Sequence, residues 1–141
     1  VDADGEALRL ALQAGPDLVK PNIHEAAALL GTEADPDRSE EICRALQKQG
    51  AKNVLLSMGS RGAALLWGED HFVMNAPSGS VKGTTGAGDS LLAGFLAGLS
   101  QKRDPAGALH LAVAAGSATA FSGQLAQGKT VQIIENLMRM R

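Results

Sequence analysis

Between two glycines, Gly50 and Gly59, lies the run Asn53-Val54-Leu55-Leu56-Ser57-Met58, which has the length and composition of a strand buried on both faces. Such a strand needs a layer on each side, and the flanking sequence offers helices. Ala7, Leu8, Ala11 and Leu12 recur at helical spacing in a segment that Asp4 can cap and that Gly15-Pro16 stops. Asp17 to Lys20 reads as a short strand ended by Pro21, because a residue before proline is pushed into extended geometry. A second helix runs from Asn22 through Leu30 and closes at Gly31; a third, of roughly ten residues, is capped by Ser39 and ends at Gly50.

After the central run, Gly59 to Gly62 turns, Ala63 to Trp67 forms another strand, and Gly68-Glu69-Asp70 leads to a strand over His71 to Asn75. After Gly79 to Gly83 comes a glycine loop. Three helices then complete the chain, over Ala87 to Leu99, Ala106 to Phe121 and Val131 to Arg139, the middle one started by Asp104-Pro105. Strands alternating with helices predict an α/β layered fold with a mostly parallel sheet flanked by helices. Sheets of that kind bind ligands at the carboxyl ends of their strands. The positions to examine are therefore Lys20 to Asn22, Ser57 to Gly62 and Gly83 to Asp89.

Composition narrows the function. Thirteen basic residues against fifteen acidic give a net charge of -2, which argues against a nucleic-acid surface or a polybasic membrane anchor. Cys43 is a lone cysteine, and His24, His71 and His110 are scattered, so no zinc site forms at ligand spacing. The longest apolar run, Leu91 to Leu99, is too short to span a bilayer, and no targeting segment opens the chain. These features predict a cytoplasmic protein with no membrane partner. The chain opens on Val1-Asp2 rather than Met, which reads like the end of a strand already under way.

Two motifs compete for the chemistry and lack the context they need. Gly123 to Thr130 fits G-x-x-x-x-G-K-[ST], yet a P-loop must follow a buried strand, and Leu109 to Phe121 has helical spacing. The plain reading is a turn with Gly128 before the last helix. Gly88-Asp89-Ser90-Leu91 spells an esterase signature, but no Asp here has His three residues later to activate the serine.

A third reading unites several sites. Gly86-Ala87-Gly88 precedes a long helix, and glycines at a helix amino terminus expose N–H groups where the dipole adds about half a positive charge. That geometry suits an anion, including the charge that develops on a phosphoryl group in transfer. Asp89 sits at the same spot, where it reads either as general base toward a substrate hydroxyl or as a first-turn acid that only favours the helix. Asn22 and Glu25 read as a capping box, or as oxygen ligands for magnesium. Lys20 is either a solvated charge or part of that edge. Ser57-Met58-Gly59-Ser60-Arg61-Gly62 is a glycine turn able to follow a nucleotide's phosphates or ribose. Gly94 and Gly98, with Ala108, Ala112, Ala115 and Ser117, predict tight helix packing in a core.

Taken in order, Lys20-Pro21-Asn22-x-x-Glu25, Ser57-Met58-Gly59-x-x-Gly62 and Thr84-Thr85-Gly86-Ala87-Gly88-Asp89-Ser90 resemble the carboxyl-terminal half of the ribokinase-like PfkB sugar kinases. Asp2 to Leu8 and the run Leu111 to Thr119 look like the branch holding 1-phosphofructokinase and tagatose-6-phosphate kinase. The resemblance covers essentially the whole chain, residues 1–141. It implies a ribokinase-like layered fold and an ATP-dependent phosphoryl transfer to a sugar phosphate, with fructose 1-phosphate converted to fructose 1,6-bisphosphate. By the same resemblance Asp89 matches the catalytic base, and Gly86, Ala87 and Gly88 match the anion hole. Asn22 and Glu25 match the motif that positions Mg2+ and phosphate through water. Lys20, Asn22 and Ser57 to Gly62 match nucleotide-binding positions, as do Val81 and Ser117 at the adenine site.

The sequence also departs from that family. Ala3-Asp4 replaces the usual Thr-Ser, and Gly83 stands where many relatives carry a polar residue. The sugar-binding acids, first glycine signature and lid of the amino-terminal half have no counterpart in these residues, nor does the lid surface through which such kinases form homodimers. The expectation is a nucleotide-side half with little or no kinase activity alone.

Overall fold

The computed structural model describes residues 5–77, 86–122 and 128–139. They form helices α1 (Gly5–Gln13), α2 (Ile23–Leu30) and α3 (Ser39–Lys48), strands β1 (Asn53–Ser57), β2 (Ala63–Trp67) and β3 (Asp70–Met74), then helices α4 (Ala87–Ser100), α5 (Pro105–Ser122) and α6 (Gly128–Arg139). The chain divides into two compact units: residues 1–59 with 63–73, and residues 60–62 with 74–141.

In the first unit α2 follows its sequence signals closely. Asn22 is the N-cap in extended geometry, and Gly31 closes the helix at φ +67, in the left-handed region. α3 departs from expectation: Ser39 lies inside the helix, and the residue before it, Arg38, makes no side-chain cap bond. The stop-start signal sits earlier, where Asp35 accepts from the Asp37 N–H and opens a single 3-10 turn over Pro36–Arg38 that runs into α3. Proline at the first position of that turn has no N–H to satisfy, so the start moves upstream of Ser39.

The sheet corrects the parallel expectation. β1, β2 and β3 lie in that order, and β1 pairs with β2 antiparallel, Leu55 opposite Leu65. The cause is connection length: a link of a few residues cannot carry a strand back for parallel pairing, which needs a crossover of a dozen or more. Only Gly68-Glu69 separates β2 from β3. Parallel pairing survives at two isolated positions, Val19 beside Val54 and Asn22 beside Ser57, in place of the predicted strand over Asp17 to Lys20. β1 is buried through Val54, Leu55 and Leu56, as its composition predicts.

The core of this unit joins Leu8 and Leu12 of α1, Ile23 of α2, Ile42 and Leu46 of α3, and Val54 and Leu56 of β1. Cys43 lies fully within it, and burial pushes its thiol pKa up to about 12. The thiol is inert packing.

In the second unit α5 packs along α4 and α6 along α5. Glycine sets the first of these approaches. A Cβ at Gly94 would lie 2.9 Å from the Ala115 Cβ, and one at Gly98 would lie 2.7 Å from the Ala108 Cα. The small-residue spacing read from the sequence is a helix seam. The Asp104 side chain accepts from the Gly107 N–H at 2.7 Å, so α5 starts with the predicted cap and proline.

Two glycines separate the effects of backbone conformation and space. Gly31 has a left-handed φ and open space around a notional Cβ, whereas at Gly50, φ +137, a Cβ would overlap the Leu12 carbonyl. Gly31→Ala should cost about 1–2 kcal/mol from conformation alone. Gly50→Ala should cost about 1–3 kcal/mol more from forced displacement, read as the shift in urea midpoint at unchanged slope.

Candidate functional site

In the first unit, the chain before α2 runs beside β1 and brings two predicted loops together. The Leu55 N–H donates to the Val19 carbonyl at 2.9 Å, and the Ser57 N–H to the Pro21 carbonyl at 3.1 Å. Asn22 therefore sits level with Ser57 at the carboxyl end of β1. Lys20, just before, is only 7% exposed, which removes the solvated-charge reading. Met58 is buried, and Gly59–Arg61 form one 3-10 turn with Ser60 and Arg61 exposed.

The capping box is present. The Asn22 Oδ1 accepts from the Glu25 N–H at 2.8 Å, and the Glu25 Oε1 accepts from the Asn22 N–H at 2.9 Å. This fixes both side chains at the strand end without consuming them, because Glu25 Oε2 stays outside the box. An amide oxygen and a carboxylate suit a hard cation that keeps most of its waters. Among the described residues no group of three or more His, Cys, Asp or Glu could hold a metal directly. Magnesium fits here only as a hydrated ion.

In the second unit the start of α4 is built differently. Gly86 is its N-cap at φ +82, with no side-chain cap bond. The Ser90 N–H is the first to turn back, donating to the Gly86 carbonyl at 2.9 Å. The N–H groups of Ala87, Gly88 and Asp89 precede that bond and have no carbonyl within the helix to meet. A Ser, Thr, Asp or Asn at the cap would take one of them; glycine cannot. Asp89 is exposed beside these donors in the first turn. The result is a small concentration of aligned positive dipole with a carboxylate at its edge.

α5 backs this turn. A Cβ at Gly116 would lie 3.3 Å from the Ala87 carbonyl oxygen, so only a bare backbone approaches freely. Ser117 is buried on the same stretch, and the Ser90 and Thr119 hydroxyls lie 2.6 Å apart, both buried. Thr119 entered the sequence reading only as the end of the run Leu111 to Thr119, with no role of its own, because a lone Thr in an Ala-rich helix looks like filler. Val81 and the loop residues Thr84 and Thr85 lie outside the described residues. α5, Pro105–Ser122, stands where a P-loop would need its strand, and Gly128 is the first residue of α6, while residues 123–127 of the G-K-[ST] match lie outside the described residues.

The sequence also missed an ionic cluster. Glu135 on α6, 4% exposed, accepts from Arg103 at 2.6 and 3.2 Å, lies 3.0 Å from His110 Nδ1, and pairs with Arg139. His110, expected to be isolated, is part of it. Burial works to raise the Glu135 carboxyl, but the hydrogen bonds and charges of its partners outweigh it and hold the group below its ordinary value of 4.5. His71 is half-buried with Nδ1 3.8 Å from Glu40; burial lowers its ring despite that carboxylate. A cavity of about 440 Å³ between α4, α5 and α6 reaches from Ser90 to Arg103 and Glu135.

The sequence model of the pfkB family carbohydrate kinases matches residues 2–130. The chain belongs to this family. Its pfkB relatives include the 1-phosphofructokinase of Bacillus subtilis (strain 168), 41% identical over 133 residues, covering 94% of this chain and 44% of the relative. The 1-phosphofructokinase of Borreliella burgdorferi is 34% identical with the same coverage, 94% and 44%. Among solved structures, Escherichia coli phosphofructokinase-2 in complex with fructose-6-phosphate superposes with a TM-score of 0.85 at 32% identity, covering 99% of this chain and 46% of that one. The fold is therefore the ribokinase-like α/β fold of these kinases, and this pfkB chain spans less than half the length of the curated relatives it matches. Among the described residues no helix is long and apolar enough to cross a membrane.

Two outcomes test the local geometry. Asn22→Ala should cost about 1 kcal/mol of stability through loss of the box, with Asn22→Asp close to wild type, by chemical denaturation. For Glu135, a depressed folded pKa means stabilisation present above the unfolded value and lost as pH falls. Stability should therefore decline as pH drops below about 4.5, and Glu135→Gln should flatten that limb while lowering stability at neutral pH.

Proposed function

We propose that the chain is the nucleotide-side half of an ATP-dependent sugar-phosphate kinase, converting fructose 1-phosphate and ATP to fructose 1,6-bisphosphate and ADP. The observation that carries this is the start of α4, where Gly86 leaves the Ala87, Gly88 and Asp89 amides uncapped beside an exposed carboxylate. The names of the relatives, 1-phosphofructokinases at 41% and 34% identity, favour fructose 1-phosphate as the acceptor.

On this reading the amides of Gly86 to Gly88 and the α4 dipole stabilise the charge spread over the phosphoryl oxygens as the bond to ADP breaks. Asp89 orients the free sugar hydroxyl and accepts its proton as the new bond to phosphorus forms. A weak base suffices, since the transition state is loose and the proton leaves late. Lys20, Asn22 and the turn Ser57, Met58, Gly59, Ser60, Arg61 and Gly62 hold the nucleotide's phosphates and ribose. Val81 and Ser117 line the adenine. Asn22 and Glu25 would hold hydrated Mg2+, which supplies neutralisation of the phosphate charge when bound.

The test places this chain in the Bacillus subtilis 1-phosphofructokinase in exchange for the matching 133 residues. That hybrid should phosphorylate fructose 1-phosphate, and the 141 residues alone should not. Asp89→Asn should lower kcat by about 10²–10⁴-fold with ATP affinity retained. Lys129→Ala should change neither. An Asp89→Asn hybrid that turns over at the parental rate would refute the assignment.

A further inference from the structure

Helix α4 carries Leu91, Leu92, Phe95, Leu96 and Leu99 within an arc of about 140°, yet the face it buries is Ser90, Leu91, Gly94, Phe95 and Gly98, and Leu96 is left exposed. A hydrophobic stripe normally decides which face of a helix turns inward, but here the buried face is rolled away from the middle of that stripe, toward Ser90, Gly94 and Gly98. The seam with α5 is made of Gly94 and Gly98 against Ala115, Ala112 and Ala108, contacts that fix distance but have little directional preference. The direction has to come from somewhere else.

It comes from the first turn. Ser90 is 8% exposed and Thr119 is fully buried, with their hydroxyl oxygens 2.6 Å apart. This hydrogen bond joins α4 to α5 one residue after Asp89. Successive residues on a helix are about 100° apart, so anchoring Ser90 inward sets where Asp89 points. Asp89 is exposed accordingly. Gly116, a turn before Thr119, lets α5 close onto the Ala87 carbonyl and holds the same turn from behind.

We infer that the Ser90–Thr119 hydroxyl pair is a positioning device for phosphoryl transfer, fixing the roll of α4 so that Asp89 and the uncapped amides face the migrating group. The inference rests on the kinase reading above. A roll of 20° moves a group at the roughly 5–6 Å radius of a helical side chain by about 2 Å. Misplacement of about 1 Å is enough to cost on the order of 10²-fold in rate. Thr119 and Ser90 are positioning residues; neither has to touch substrate.

A purely structural role makes a different prediction, and the asymmetry of buried hydrogen bonds separates the two. Removing one partner strands a buried hydroxyl, whereas replacing both by apolar groups is close to neutral for stability. In the hybrid kinase, Ser90→Ala/Thr119→Val should therefore unfold closer to the parental midpoint than Thr119→Val alone. Its kcat should fall by about 10–100-fold with KM for ATP within about twofold. The single variant Thr119→Ser, with Ser90 intact, should keep the parental rate, because it retains both hydroxyls. A double variant that is folded and turns over at the parental kcat would overturn the inference, as would one whose loss lies wholly in KM. The single variant Thr119→Val guards against a misfolded double: its kcat, measured well below its own midpoint, should also fall, and an unchanged value would overturn the inference too. A parental hybrid without turnover, or with turnover indifferent to Asp89→Asn, would instead remove the kinase reading and this inference with it.

Discussion

A helix presents its first N–H groups to whatever lies before it, and the residue at the cap decides whether they are used up or left open. Helices α2 and α4 show the two outcomes. At α2, Asn22 and Glu25 take each other's backbone N–H groups and the turn is sealed. At α4 the cap is Gly86, and a left-handed φ of +82 carries the chain into the helix without offering any oxygen from a side chain. Asn or Ser at position 86 would bring a side-chain oxygen to those donors, but only by leaving the left-handed φ that glycine accepts. The open amides, with Asp89 beside them, are the feature on which both the functional reading and the role assigned to Thr119 depend.

Leaving donors uncapped weakens a helix end, so the rest of α4 has to be held by other means. The seam against α5 supplies this through close approach: Gly94 and Gly98 admit Ala115 and Ala108 at distances that any larger residue would prevent. Many short dispersion contacts replace a few large side chains. At the other end of these helices, Glu135 gathers Arg103, His110 and Arg139, an arrangement in which each buried charge has partners. The second unit thus has an open amino-terminal tip on α4 and a charge-paired end opposite.

Local signals carried most of the element pattern. Asn22, Glu25 and Gly31 specified α2 from cap to cap because every determinant lies within ten residues of chain, and Ala63 to Trp67 was legible for the same reason. Sheet direction was not: alternation of strands and helices suggested parallel pairing, while the short turns around β2 required antiparallel neighbours. Ser39 misled because a good capping residue stood next to a better start at Asp35-Pro36. In the candidate site, the glycine tip and Asp89 could be read directly, since the chemistry lies in consecutive residues. Thr119 and the Glu135 cluster could not, because their partners are 29 and 25–32 residues away and nothing in composition marks them.

The buried thiol of the first unit has a use of its own. Cys43 is fully enclosed between α3 and its neighbours, and its pKa of about 12 keeps it protonated at neutral pH. An alkylating reagent therefore has no nucleophile to meet until that region opens. Since this is the chain's single cysteine, its labelling rate is a built-in clock for the breathing of one unit, with no probe introduced and no signal from the other.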